Sequence, residues 1–220
     1  AQIDEAGSIA TVRYNCEENF KQTSEFTNKY IDKRHHHIIS AATYSFLNTR
    51  KSLFDQRIAR HKIRDCHGDL RTGHIYFCAD GLYIIDCIEF NERFRYSDVS
   101  CDLAFLCMDL DFQGYPAQAC SLMAAYAGHC NDPAVYGLLS FYKCYRAMVR
   151  TKINCLRLEQ GGLDYQEHTK LLEQTRGYMD LAYRYALEFS RPRIWVVFGM
   201  IASGKSTLAQ ALSENLGITA

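Results

Sequence analysis

A carboxylate on a tight turn, His67-Gly68-Asp69-Leu70, precedes a second carboxylate that closes an apolar run, Leu82-Tyr83-Ile84-Ile85-Asp86. That pattern suits phosphoryl transfer to a hydroxyl. The chemistry needs one carboxylate to orient and deprotonate the acceptor and others to hold Mg²⁺ against the phosphates. Asp69 suits the first task and Asp86 the second, with Glu89 as a further acidic group near the metal. A second set of residues near the C-terminus, Gly199-Met200-Ile201-Ala202-Ser203-Gly204-Lys205-Ser206, fits the Walker A pattern in full. Its glycines let the backbone wrap around phosphates, Lys205 neutralises the β- and γ-phosphates, and the Ser206 hydroxyl ligates Mg²⁺. A helix opening there adds its positive N-terminal end. Gly199, Ser203, Gly204, Lys205, Ser206 and Thr207 are therefore the expected nucleotide-binding residues.

The elements that must position these groups follow from pattern. Mixed three- and four-residue apolar spacing predicts a helix over 12–31 and a longer one over 33–61, with Ile38, Ile39, Ala42, Phe46, Leu53 and Ile58 inward. No Pro or Gly interrupts the second. Residues 62–66 read as extended. Ile75-Tyr76-Phe77-Cys78 and Leu82-Tyr83-Ile84-Ile85, joined by Ala79-Asp80-Gly81, read as a β-hairpin. From Asp98 a helix with Leu103, Ala104, Phe105, Leu106 and Leu110 is apolar nearly all round, hence buried. Pro116 and Pro133 suit first-turn positions of two further helices, with Asn131-Asp132 as a natural N-cap for the second. That helix should run to about Glu159 and stop at Gly161-Gly162, and a last one should span 164–189 before Arg191-Pro192-Arg193. Ile194 to Phe198 reads as a short buried strand of a parallel sheet, followed by the P-loop and a helix over 205–216.

Taken together, His67-Gly68-Asp69-Leu70, Ile85-Asp86-Cys87-Ile88-Glu89-Phe90 and Asp102-Leu103-Ala104 resemble the aminoglycoside phosphotransferase family. That family shares the protein-kinase-like fold, and some members are fused to a C-terminal P-loop (AAA or zeta-toxin-like) kinase domain. The resemblance implies an α+β chain: a helical kinase-like C-lobe over 1–190 with a catalytic hairpin, then the first βα unit of a P-loop domain over 191–220. It implies an ATP- and Mg²⁺-dependent phosphotransferase acting on a hydroxyl of a small molecule. His67 and Asp69 are the implied catalytic residues, with Asp69 the base. Asp86 is the implied magnesium ligand, and Asp102 would anchor the loop from the start of a buried helix. One position departs. Where the family carries Asn as a second metal ligand, this chain has His74, and imidazole suits softer metals than Mg²⁺. The metal set expected here is thus Asp86, His74, Glu89 and, in the P-loop, Ser206.

The resemblance also places the nucleotide-binding lobe upstream of residue 1 and the remaining P-loop elements downstream of residue 220, so this piece alone is expected to turn over little. Two other readings stand beside it. The kinase-like part could be a pseudokinase that regulates the P-loop unit, with His74 as its mark of decay. Or a P-loop ATPase carries an unrelated helical domain.

Lys143, Arg146 and Arg150 fall on one face of a helix. They read either as a solvated basic face or as a patch for an anionic substrate, one poorly suited to a cationic aminoglycoside. Cys66 and His67 are adjacent on an extended segment and so point to opposite faces, which argues against a thiol nucleophile. His35-His36-His37 reads as a helix face rather than a metal site. The chain's 220 residues have zero formal charge and 48% apolar residues, so no bulk field favours nucleic acid or membrane. The ten cysteines, with no Cys-x-x-Cys pair, read as reduced thiols of a cytoplasmic protein.

Overall fold

A computed structural model describes residues 2–191 and 196–216. The chain is α+β. Its helices are α1 (Gln2–Ala6), α2 (Ile9–Ser24), α3 (Lys33–Thr49), α4 (Lys51–Ala59), α5 (Glu92–Arg95), α6 (Val99–Phe112), α7 (Pro116–His129), α8 (Tyr136–Glu159), α9 (Tyr165–Ser190) and α10 (Lys205–Leu216). The strands form two antiparallel pairs: β1 (Ile63–Asp65) with β4 (Tyr96–Asp98), and β2 (Ile75–Cys78) with β3 (Gly81–Ile84). Among the described residues no helix is long and apolar enough to cross a membrane.

The long helices α8 and α9 pack along each other, and α2, α3 and α6 close around them. Their shared core is aromatic at its centre: Phe46 stacks on Phe141 at 4.9 Å, and Phe54 meets Phe141 edge-on at 5.8 Å. The helix starts are capped by side chains of the expected type. Ser8 accepts from the Thr11 amide, Asp32 from His35, and Asp164 forms a reciprocal capping box with Glu167.

Three helix boundaries differ from the pattern reading, and each has a local cause. The first helix ends at Ser24 rather than 31. There Thr23 and Ser24 turn their hydroxyls onto the carbonyls of Asn19 and Lys21, competing with the ladder. The second helix breaks at Arg50 (φ −117°, ψ 25°), just after Thr49 has bonded back to the Ser45 carbonyl. The break redirects α4, so that Leu53, Phe54 and Arg57 are buried while Ile58, like Ile38 before it, is only half-buried. At Pro133 the chain makes a 3₁₀ turn (Pro133–Val135) before α8, and Asp132 makes no cap bond. In α6, Leu103 and Leu110 are also half-buried.

Asp132 is not a cap because it serves a buried ion network. Arg57, 1% exposed, donates from Nε and Nη2 to the two oxygens of Asp98 at 2.8 Å each, and from Nη1 to Asp132 at 2.5 Å. Tyr126 adds a hydroxyl donor to Asp132 at 3.0 Å. Asp98 also caps α6 through the Ser100 amide. Burial alone would push the Asp132 carboxyl up, but the Arg57 guanidinium and the Tyr126 hydroxyl outweigh it and hold the group below the usual carboxylate range. This network locks α4, the β1–β4 pair and the start of α6 into one unit, and the His-Gly-Asp turn springs from that unit.

The expected strand over 194–198 falls partly outside the described residues. Ile194 and Trp195, like Pro192 and Arg193, lie outside the described residues. Val196–Phe198 joins no strand pair among the described residues, with Phe198 89% exposed.

Candidate active site

The turn after β1 is built around Gly68. Its φ is +82°, a conformation glycine adopts without strain, and a Cβ there would sit 2.9 Å from the Phe94 carbonyl. Asp102, in the first turn of α6, holds the turn from beneath: one oxygen accepts from the His67 amide at 2.9 Å and the other from Gly68 at 3.0 Å. This is the anchoring role expected for it. Asp109, two turns further along α6, does the same for the next residues, accepting from the Thr72 amide at 2.9 Å and from its hydroxyl. The turn and the residues after it are therefore tied twice to a buried helix.

His67 is a strut. Its Nε2 donates to the Ile85 carbonyl at 2.8 Å, and its Nδ1 accepts from the Asp69 amide at 3.3 Å. Its own carbonyl accepts from the Ile88 amide at 3.0 Å. The ring thus pins the stretch after β3 against the turn. Both ring nitrogens are occupied, which leaves His67 a positioning role and no free proton-transfer site.

Asp69 is gripped by a residue that pattern reading passed over. Arg71 donates from Nε to Oδ1 and from Nη2 to Oδ2, both at 3.0 Å, a bidentate pair. Burial pushes the Asp69 carboxyl up, but Arg71 overrides it, with His74 and Arg150 helping, and the group lies below the usual carboxylate range. The signal for Arg71 was present: a cation two places from the expected base can fold back onto it.

His74 does not supply a free metal ligand. Nδ1 donates to the Asp69 backbone carbonyl at 2.9 Å, and Nε2 faces both Arg71 Nη2 at 3.0 Å and Asp86 Oδ2 at 3.4 Å. Asp86 stands in left-handed backbone (φ 63°), sparsely populated for a non-glycine residue and common at functional sites. Its side chain is 76% exposed. Glu89 is exposed further along. Among the described residues no three His, Cys, Asp or Glu side chains gather as a metal-binding group. The expected set Asp86, His74 and Glu89 is therefore not assembled as three ligands. The donor chemistry that is present, an exposed carboxylate with a second one nearby, fits Mg²⁺. That ion keeps several waters and is typically held by one or two carboxylates plus phosphate oxygens.

Gly68, Asp69, Asp86 and Glu89 open onto a cavity of about 750 Å³ whose far wall is α8. The basic residues of α8 divide between two surroundings. Lys143 turns away, pairing with Asp111 at 2.5 Å over the Tyr185 ring. Arg146 and Arg150 line the cavity, joined by Lys152. Neither reading of a solvated face nor of one three-residue patch holds: Arg146 is 7% exposed and lies over the Phe105 ring at 4.7 Å.

Cys66 is no nucleophile. Burial pushes its thiol up to about 12, and its sulfur donates to the Ser97 carbonyl. Two of the three consecutive histidines are structural, His35 stacking on Tyr183 at 4.1 Å and His36 contacting the Thr23 hydroxyl at 3.0 Å, while His37 is exposed.

In the glycine-rich loop, Ala202 (φ 62°) and Gly204 (φ 79°) are both left-handed, and Leu208 bonds back to the Gly204 carbonyl as α10 begins. Gly199 sits so close to Ser203 that a Cβ would lie 2.9 Å from its hydroxyl. Lys205 curls over the loop, donating to the Met200 carbonyl at 2.5 Å. Ser206 and Thr207 are exposed at the helix start. Alternating turns of this kind aim successive amides into a concavity suited to an anion.

No family model matches the chain, and no solved structure matches it. Uncharacterized proteins of Mycobacterium bovis and of Mycobacterium tuberculosis are 31% identical to it over 223 residues, covering 98% of this chain and 42% of theirs. The chain thus spans less than half the length of those relatives, and the matched stretch takes in nearly all of it.

Proposed function

We propose that the protein is an ATP-dependent phosphotransferase acting on a hydroxyl of a small molecule, with a second nucleotide site at the P-loop. The observation that carries the first part is the double tether of the His67-Gly68-Asp69 turn to Asp102, which presents Asp69 at the mouth of the cavity beside Asp86. Asp69 orients the acceptor hydroxyl and takes its proton. Arg71 holds that carboxylate charged and fixed, trading basicity for position, which suits a reaction whose transition state is loose and needs little base strength. Asp86 would hold Mg²⁺, with Glu89 as an outer acidic group. Bound Mg·ATP would supply the phosphoryl group, with ADP as the leaving group and the acceptor's proton passing to Asp69. Gly199, Ser203, Gly204, Lys205, Ser206 and Thr207 would cradle the phosphates of the second nucleotide, with Lys205 exchanging its Met200 contact for them. The free thiols accord with a cytoplasmic setting, where both ligands are supplied.

One observation favours a second reading, a regulatory pseudokinase module. His74 spends both nitrogens inside the loop, so the position gives no further metal ligand. Replacing Asp69 with Asn separates the two. Loss of about a hundredfold or more in Mg·ATP-dependent transfer is expected of a catalytic carboxylate. An unchanged rate would reject the phosphotransferase reading of this site and leave the module regulatory.

A further inference from the structure

Five buried side-chain nitrogen or oxygen atoms lack a hydrogen-bond partner among the described residues: Asn19 Nδ2, Ser97 Oγ, Arg146 Nε, Arg150 Nε and Asn154 Nδ2. Three of them belong to Asn19, Arg146 and Arg150, which line the cavity that opens beside Asp69. All three are donors. A buried donor without an acceptor costs free energy, and a buried cation without a counter-charge costs more. Such groups are retained where a ligand completes them.

The charge around them has the same sense. Arg146 makes no ion pair among the described residues. Asp102 is near enough to feel its field, yet both Asp102 oxygens are taken by the loop amides. Arg150 rests on the Tyr178 ring at 5.5 Å. Lys152 donates to the amide oxygen of Asn19 at 2.6 Å and feels the Glu18 carboxylate, and burial lowers its ammonium below the usual lysine range. Of the acidic groups on the same cavity, Glu18 is neutralised by Arg93 at 2.8 Å and Asp69 by Arg71. The cavity thus runs from carboxylates at the loop to three cations on α8. Guanidinium pairs meet planar or tetrahedral oxyanions with two parallel bonds.

We infer that the acceptor carries a phosphate group of its own, seated against Arg146, Arg150 and Lys152, while its hydroxyl points to Asp69. Three cations favour a dianionic phosphate over a carboxylate, so the substrate class is a phosphorylated polyol or sugar. This rests on the phosphotransferase reading above. Arg146 and Arg150 then act in substrate specificity, not in the transfer itself.

The test is calorimetric binding of glycerol 3-phosphate, glycerol and inorganic phosphate to the full chain, with and without a non-hydrolysable Mg·ATP analogue at saturation. Glycerol 3-phosphate and phosphate should bind, and glycerol should not. Arg150→Gln, and Arg146→Met with shape roughly kept, should each weaken the two anions about tenfold to a hundredfold. Transfer by Asp69→Asn is assayed beside these titrations, so failure of the catalytic reading is seen separately. Arg150 is only half-buried, so its variant keeps the test open if Arg146→Met misfolds. Equal binding by both variants and the parent overturns the inference. So does complete displacement of the anions by the nucleotide analogue, which would assign these cations to ATP.

Discussion

The His-Gly-Asp turn and the glycine-rich loop both bend through left-handed residues, yet they are held by different means. Gly68 lies over Ile88 and the Phe94 carbonyl and is fastened by Asp102, a side chain from a buried helix. Gly204 has nothing within 4 Å of where a Cβ would stand, and its loop is closed by its own backbone and by Lys205. The first site is set by long-range packing, with the chain separated by 34 or 35 residues between partners. The second is set within eight consecutive residues. A local motif is easily recognised because it needs little else; a long-range one is weak in sequence and strong in structure.

That contrast can be broken from its strongest side first. Arg57→Met leaves Asp98 buried without its guanidinium and Asp132 held by Lys62 at 3.4 Å and Tyr126, and should cost about 3–5 kcal/mol in urea unfolding. Lys205→Ala, on an open loop, should change stability by less than about 0.5 kcal/mol while weakening ATP at the P-loop. A large stability loss from Lys205→Ala would mean the second loop is not locally held.

Asp102→Asn keeps the shape but turns an amide NH₂ toward one of two N–H donors. About 1–3 kcal/mol should be lost in chemical denaturation, with ATP affinity at the P-loop unaffected. If both change together, the two regions are coupled and the distinction fails.

The glycines sharpen the point. Ala at Gly204 meets only the backbone penalty, about 1–2 kcal/mol. Ala at Gly68 meets that penalty and the Phe94 carbonyl at 2.9 Å, so its melting temperature should fall further. Equal losses would show that packing adds nothing at Gly68.

The smallest effect is on acid stability. Asp69 and Asp132 both lie below their ordinary values when folded. The stability they lend is complete above about pH 4, the unfolded carboxyl value, and fades as pH falls from there through the lower folded values. Thermal melts should be level from pH 8 to 5 and decline below about 4. Asp132→Asn should flatten part of that decline, and an unaltered slope would place the acid sensitivity elsewhere.

How far these features could be read beforehand follows the same division. The hairpin, the buried helix after Asp98, the last long helix from about Asp164 and α10 are local patterns, and they appear where periodicity and turn chemistry put them. The anchoring by Asp102 was legible too, through the family resemblance rather than through local pattern. The kink at Arg50 was not, because no Pro or Gly marks it and hydroxyls made the break. Nor was the Arg57–Asp98–Asp132 network, whose members stand 41 and 75 residues apart. A trace existed: Arg57 continues the stripe of Leu53 and Phe54, where a charge has no reason to be unless it is paired. Arg146 carries the same mark between Tyr142, Tyr145 and Val149, and a helical wheel shows the face without showing that it is buried.

The two carboxylates of α6 that tie down the turn have a consequence for time as well as for position. The amides of His67, Gly68 and Thr72 sit in a loop, where hydrogen exchange is normally fast. Here each is bonded to a side chain that cannot move unless α6 moves. Their exchange should therefore be as slow as that of the helix itself, and the turn should open only in the rare excursions that open the core.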